Sequence, residues 1–159
     1  MLHLIPVPLH RLALRIGYKL RQQFWKLAKP DVAGVAVLLR DGEGRLLLVR
    51  HSYGPRAWAI PGGGMGAGED PAEAARREIR EELSCELAGL EALHAFEEDL
   101  SGAPHTAHVF TARPIGELQV DGRELLEARW FAAEELTTIT CTRVTYRRLK
   151  TLGFYSSES

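Results

Sequence analysis

Five glycines in the eight residues from Pro61 to Gly68 run into Asp70-Pro71-Ala72-Glu73, and this junction constrains the fold more than any other stretch. Asp as N-cap, Pro at the first helical position and Glu three residues past the cap mark a helix start. The spacing predicts a helix from Asp70 to about Leu83. Along it Ala75, Ile79 and Leu83 fall at i, i+4 and i+8, an apolar stripe that has to lie against a sheet. Glu78, Glu81 and Glu82 fall at i, i+3 and i+4, within about 100° of arc, so three carboxylates share the neighbouring face. Like charges on adjacent turns cost roughly a few tenths of a kcal/mol per pair, which Arg77 and Arg80 partly offset. Two readings of this face stand: a solvated acidic surface, or a binding face for a hard cation such as Mg²⁺, which takes carboxylate oxygens. The glycines upstream let a backbone amide or carbonyl approach a ligand closely, at the helix end that favours anions. A flexible loop is their plainer reading. A nucleotide-binding P-loop is excluded, because no Gly-Lys-Ser/Thr follows.

The rest of the body alternates α and β. Val32–Arg40 and Arg45–His51 are β-rich runs separated by Asp41-Gly42-Glu43-Gly44, a hairpin signal. Further strands are expected near 87–96, 106–113 and 126–131, with a short helix starting near Ala132 and a closing helix over Thr142–Leu152. Ser156–Ser159 reads as a frayed end. A length of 159 residues with 45% hydrophobic content suits one domain with a real core and excludes disorder as the overall class. Cys85 and Cys141 are too few for a disulfide scaffold, and neither has an evident activating partner. His105 and His108, three apart on a strand, face opposite sides and make a poor metal pair. No apolar run approaches the ~20 residues of a membrane span, and the opening segment, broken by Pro6 and Pro8, makes a poor signal peptide. A soluble, cytoplasmic protein is the expectation.

Charge divides the chain in two. Residues 1–30 hold Arg11, Arg15, Lys19, Arg21, Lys26 and Lys29 and no acid, whereas the remainder holds 14 of the 20 basic and all 21 acidic residues, a net of −7. Leu9, Leu12, Ile16, Leu20, Phe24 and Leu27 recur at three- and four-residue steps, so residues 1–30 read as a basic amphipathic helical arm and residues 31–155 as the domain proper. The arm can dock on the domain, dock on a second subunit in a homodimer, lie on an anionic membrane surface, or meet nucleic acid phosphate. Pro30 supplies the boundary.

The residues around the glutamates carry a known pattern. Gly63, five residues, Glu69, seven residues, and then Arg77-Glu78-Ile79-Arg80-Glu81-Glu82-Leu83-Ser84-Cys85 closely resembles the Nudix box, Gly-x5-Glu-x7-Arg-Glu-U-x-Glu-Glu-x-Gly-U, where U is a bulky aliphatic residue. Chance agreement of its six fixed residues at one given start is on the order of 10⁻⁷ to 10⁻⁸, so the match is specific. Trp58-Ala59-Ile60-Pro61-Gly62-Gly63 resembles the family's approach to the box, and Glu127-Ala128-Arg129-Trp130-Phe131 its late strand. The resemblance covers about residues 32–136. Ser84 stands where the pattern has Gly, and Cys85 replaces the aliphatic U. If position 84 needs positive φ, Ser costs ~1 kcal/mol without touching a carboxylate.

What the resemblance implies is an α/β/α sandwich around a mixed β-sheet and Mg²⁺-dependent hydrolysis, with Mn²⁺ as a substitute, of a nucleoside diphosphate linked to another moiety. By position, Glu78, Glu81 and Glu82 would be metal ligands with the Gly62 carbonyl, while Gly63 and a Glu69–Arg77 pair would support loop and helix. Glu78 leads as general base; Glu124 or Glu127 could supply a base or a further ligand. Arg50, His51, Tyr53 and Arg56 precede the box in a segment able to reach a phosphate or stack on a base. The alternative is a non-catalytic nucleotide-binding or sensor module on the same fold. No additional motif in the chain names the second moiety.

Overall fold

The computed structural model describes residues 7–28, 32–100 and 102–155. In chain order they form α1 (Val7–Ala28), β1 (Val32–Leu39), β2 (Leu46–His51), β3 (Gly62–Gly64), α2 (Pro71–Leu83), β4 (Glu86–Leu100), β5 (Ala103–Ile115), β6 (Leu125–Phe131), a 3-10 turn (Ala133–Thr137) and α3 (Arg143–Thr151). One sheet has the order β3-β1-β5-β4, and β2 pairs with β6 in a second. The first sheet is mixed, because β1 runs parallel to β5 and antiparallel to β3.

The period-2 geometry of a strand explains the layers. From β1, Val35, Val37 and Leu39 pack with Ala74, Ala75, Ile79 and Leu83 of α2, while Ala36 and Leu38 point to the opposite core with Leu149 of α3, Phe131 and Leu136. β2 divides likewise, Leu47 and Val49 joining the first core, Leu46 and Leu48 the second. Each strand is covered on both faces, so both read as continuous apolar runs. The result is the expected α/β/α arrangement around a mixed sheet, and the apolar stripe of α2 is its inner face.

The hairpin signal at 41–44 is half right. The turn forms, with Asp41 N–H donating to Arg45 O and Gly44 N–H to Asp41 O, and an Arg40–Leu46 bridge at its base. Beyond that the strands part. β1 is already paired on both edges, with β5 over Val32–Leu39 and with β3, so β2 completes its hydrogen bonds on β6. β3 itself carries no strand signal, being three glycines, and is a strand only because β1 offers an open edge. β4 and β5 extend further than expected because they pair from Glu86–Ile115 to Leu100–Ala103. The closing helix is capped by the Thr142 side chain, and the short helix expected near Ala132 forms as a 3-10 helix over Ala133–Thr137. Ser156–Ser159 lies outside the described residues.

α2 starts as its sequence requires, with the Asp70 carboxylate accepting from Glu73 N–H. It ends on Ser84 at φ 56° and ψ 31°, the left-handed region, and Ser84 is the sole non-glycine residue with positive φ among those described. Ser84→Gly should therefore raise stability by about 1 kcal/mol, read as a higher urea midpoint at unchanged m-value; a loss of stability would show that the hydroxyl contributes more than the conformation costs.

The arm forms a helix over the expected segment, yet it docks the other way round. Arg11 Nε donates to Gly122 O and Arg15 Nε to Ser52 O, each at 3.0 Å, whereas Leu9, Leu12, Ile16 and Leu20 are each more than half exposed. The basic side meets backbone carbonyls of the domain and the apolar stripe faces outward. No helix among the described residues is long and apolar enough to cross a membrane.

Candidate active site

The site is built where β3 lies along β1 and delivers the chain to α2. A Cβ on Gly62 would stand 2.1 Å from Val35 O, and a Cβ on Gly63 would stand 2.4 Å from the Glu78 carboxyl carbon. Only glycine lets the loop run this close to strand and helix together. Arg77 then ties the loop to α2. Its Nε lies 2.8 Å from Glu69 Oε1 and its second amino nitrogen bonds Glu69 Oε2 and Gly64 O, while the other reaches Glu78 Oε1 at 2.8 Å. Glu69 also accepts from Gly66 N–H at 2.7 Å. Hydrogen bonds from Arg77 and Gly66 hold the Glu69 carboxyl down at about 2, and the Arg77 guanidinium is raised in turn. Loop, Glu69, Arg77 and Glu78 form one connected brace.

The three glutamates are not equivalent. On a helix, residues 78 and 82 are about 40° apart, with 81 about 60° to the other side of 78. Glu78 and Glu82 turn inward, with side chains 13% and 4% exposed, while Glu81 is 60% exposed and lies 3.4 Å from Arg77. The Glu82 carboxylate accepts from Gly62 N–H at 3.2 Å, and His51 Nε2 is 3.5 Å from its other oxygen. Burial pushes the Glu82 carboxyl up, eased by His51 and Gly62, with the Glu124 charge adding to the rise. Glu78 is likewise raised by burial against its bond to Arg77, with Glu82 and Glu81 as repelling neighbours.

Arg50, His51 and Arg56 line a cleft of about 780 Å³ that opens beside His51. Tyr53 sits against His51, ring centroids 5.3 Å apart. Arg50 is also committed within the fold, to Glu127 across the β2–β6 pair and to the Trp58 ring at 4.8 Å. Glu127 is thus paired within the sheet, and Glu124 is the carboxylate of the 120s whose charge acts on Glu82. Glu124 is placed by Asp121, whose Oδ1 accepts from Arg123, Glu124 and Leu125 N–H, each at 3.0 Å. Asp121 was legible as an Asp-Gly turn residue, although sequence reasoning did not single it out. His105 belongs to a different cluster, with Glu98 and Arg148. Burial raises both cysteine thiols, so neither is activated.

A divalent cation fits this arrangement. A buried carboxylate, Glu82, and a partly buried one, Glu78, repel each other and supply only hard oxygen donors, which suits Mg²⁺ or Mn²⁺ better than a soft metal. As they stand, no three His, Cys, Asp or Glu side chains among the described residues converge closely enough to hold a metal ion.

A glycine loop braced to a helix bearing paired inward carboxylates, on a mixed sheet between helices, defines the class of α/β domain. Residues 30–151 match the model of the NUDIX domain, and the chain belongs to that family. The structure resembles a MutT NUDIX hydrolase from Burkholderia pseudomallei with a TM-score of 0.68 and 27% identity, covering 76% of this chain and 97% of that one. In sequence the chain is 44% identical over 54 residues to an RNA pyrophosphohydrolase from Rhodospirillum rubrum, covering 34% of this chain and 33% of that protein. It is 34% identical over 112 residues to a mitochondrial NAD(P)H pyrophosphatase from Homo sapiens, covering 69% of this chain and 32% of that protein. The chain thus spans about a third of the length of these curated relatives.

Proposed function

We propose that the protein is a Mg²⁺-dependent hydrolase that cleaves the diphosphate linkage of a nucleoside diphosphate joined to a second moiety. The observation that carries this reading is the inward Glu78–Glu82 pair: two repelling carboxylates for which the brace supplies one guanidinium, Arg77, bonded to Glu78, while Glu82, its side chain 4% exposed, has His51 Nε2 at 3.5 Å. A structural face would expose these carboxylates or alternate them with lysine. When bound, a divalent cation neutralises the diphosphate's charge and activates the attacking water. Glu78 and Glu82 would hold it, with Glu81, Glu124 and the Gly62 carbonyl as candidate further donors. Arg77 and Glu69 fix the Glu78 side chain, and Gly63 keeps the space that its carboxylate occupies. Glu78, raised by burial, and Glu124, whose backbone N–H is held by Asp121, are our two candidates for taking the proton of the attacking water.

The two relatives' names point to diphosphate linkages in different molecules, which supports the bond class rather than one substrate. The test is a product screen at pH 7–9 with Mg²⁺ or Mn²⁺ over NADH, ADP-ribose, nucleotide sugars, dinucleoside polyphosphates, nucleoside triphosphates and 5′-triphosphorylated RNA. Turnover of one class, lost on metal chelation, is expected. Binding of these compounds with turnover of none would move the reading to a ligand-sensing module.

A further inference from the structure

The arm helix does more than tether the chain. The cleft beside His51 is walled on one side by Leu12, Arg15 and Ile16 of α1, which lie outside the family match, and on the other by Pro55, Arg56 and Leu126. Leu12, Ile16 and Leu126 are 52%, 52% and 45% exposed, and all three face this one space. Arg56 is exposed and engages no carboxylate among the described residues. No Asp, Glu, Asn or Gln is among the residues that line the cleft, so it lacks the carboxylate and amide side chains that most readily take paired sugar hydroxyls. Apolar walls with a few cationic groups at the rim suit a flat ring carried on a phosphate, and the volume lies within the roughly 300–1,000 Å³ of small-molecule sites. The position of α1 is also tied to the catalytic segment. Arg15 bonds Ser52 O, Ser52 N–H donates to Glu124 O at 2.8 Å, and Arg11 holds Gly122 O. One helix thereby clamps the loop after His51 to the turn before Glu124.

We propose that α1 is a wall of the substrate site, and that Leu12 and Ile16 with Leu126 receive the heteroaromatic ring of the substrate while Arg56 meets its phosphate. This rests on the hydrolase reading for the name of the substrate, but its test does not depend on turnover. The outward apolar stripe then has an occupant along the Leu12–Ile16 edge that is neither the domain core nor a second subunit.

The test uses the full chain, free of metal, and measures equilibrium binding of NADH, ATP and GTP against phosphoribosyl pyrophosphate, a sugar diphosphate that lacks the heteroaromatic ring. Leu12→Ser/Ile16→Ser, at two half-exposed positions, should weaken binding of at least one heteroaromatic ligand by about tenfold or more and leave the base-free diphosphate within about twofold. Leu12→Met/Ile16→Leu should restore it. Arg56→Gln should weaken phosphates with and without the heteroaromatic ring alike. Equal binding by wild type and the double serine variant overturns the proposal, as does binding of no ring ligand by the wild type. Phosphatidylglycerol vesicles are run alongside. Vesicle binding lost in the serine variant with ring binding unchanged would assign the stripe to a membrane surface instead. Arm-dependent ring binding without turnover of any compound would sink the hydrolase reading alone; turnover without arm dependence would sink this inference alone.

Discussion

Glu82→Gln is expected to lower turnover at least about 100-fold, roughly 3 kcal/mol of transition-state stabilisation, while leaving the metal-free protein at least as stable as wild type. The two halves of that result come from one observation. The Glu82 side chain is 4% exposed, and burial pushes its carboxyl up. Keeping a charge there works against folding unless a cation shares the site. Glutamine preserves shape and an acceptor for Gly62 N–H, yet removes the charge and one hard donor. A simultaneous loss of stability and activity would instead make Glu82 a structural residue, bound into the fold through Gly62 and His51. Thermal unfolding in EDTA and initial rates in Mg²⁺ separate the two outcomes. Activity that survives the substitution would place the chemistry elsewhere.

The second large effect lies on the other side of the sheet. Glu98 of β4, side chain 3% exposed, receives two hydrogen bonds from Arg148 of α3, at 2.9 and 2.7 Å, with His105 Nδ1 3.8 Å away. Burial alone would raise the Glu98 carboxyl; His105 and the Arg148 guanidinium more than offset it and hold it at about 2. Arg148→Ala strands that carboxylate and should cost about 3–5 kcal/mol at pH 7. The sign with pH follows from linkage. The folded value lies below the ordinary 4.5, so the wild-type contribution is full above pH 4.5 and is lost as pH falls toward 2. In Arg148→Ala the buried carboxyl protonates more readily, so the gap between variant and wild type should narrow in acid. Urea midpoints at pH 7 and pH 4 measure both. Replacing Glu98 and Arg148 together by leucine should recover most of the loss; failure to recover would mean the pair fixes the docking of α3 rather than only neutralising itself.

What the sequence made legible is mostly local. Asp70, Pro71 and Glu73 announce α2 because capping and proline geometry act within one turn, and the 3.6-residue period separates Ile79 from Glu78 without reference to the rest of the chain. The Glu69–Arg77 pair came through the resemblance alone, since eight residues across a loop carry no periodic signal. Partner choice in the sheets was not legible. The turn at 41–44 looks the same whether β2 returns along β1 or leaves for β6, and the answer depends on β5 and β3, far along the chain. β3 is invisible in sequence because its glycines are selected by the approach of Val35 and Glu78, not by strand preference. For the arm, the period gave the helix but not which side faces the domain, because two arginines reaching carbonyls outweighed the apolar stripe in setting its pose. Glu98 and Arg148 stand 50 residues apart, and nothing local couples them.

Manganese binding read by electron paramagnetic resonance tests the central claim most directly, because it asks whether the inward carboxylates are a metal site before any substrate is chosen. Wild-type protein titrated with Mn²⁺ should quench the free-ion signal with saturable stoichiometry, Mg²⁺ should compete, and Glu82→Gln and Glu78→Gln should each weaken binding by at least about tenfold. Wild-type and Glu82→Gln titrations that superimpose, or a wild type that binds no Mn²⁺ even with a nucleoside diphosphate present, would contradict the account.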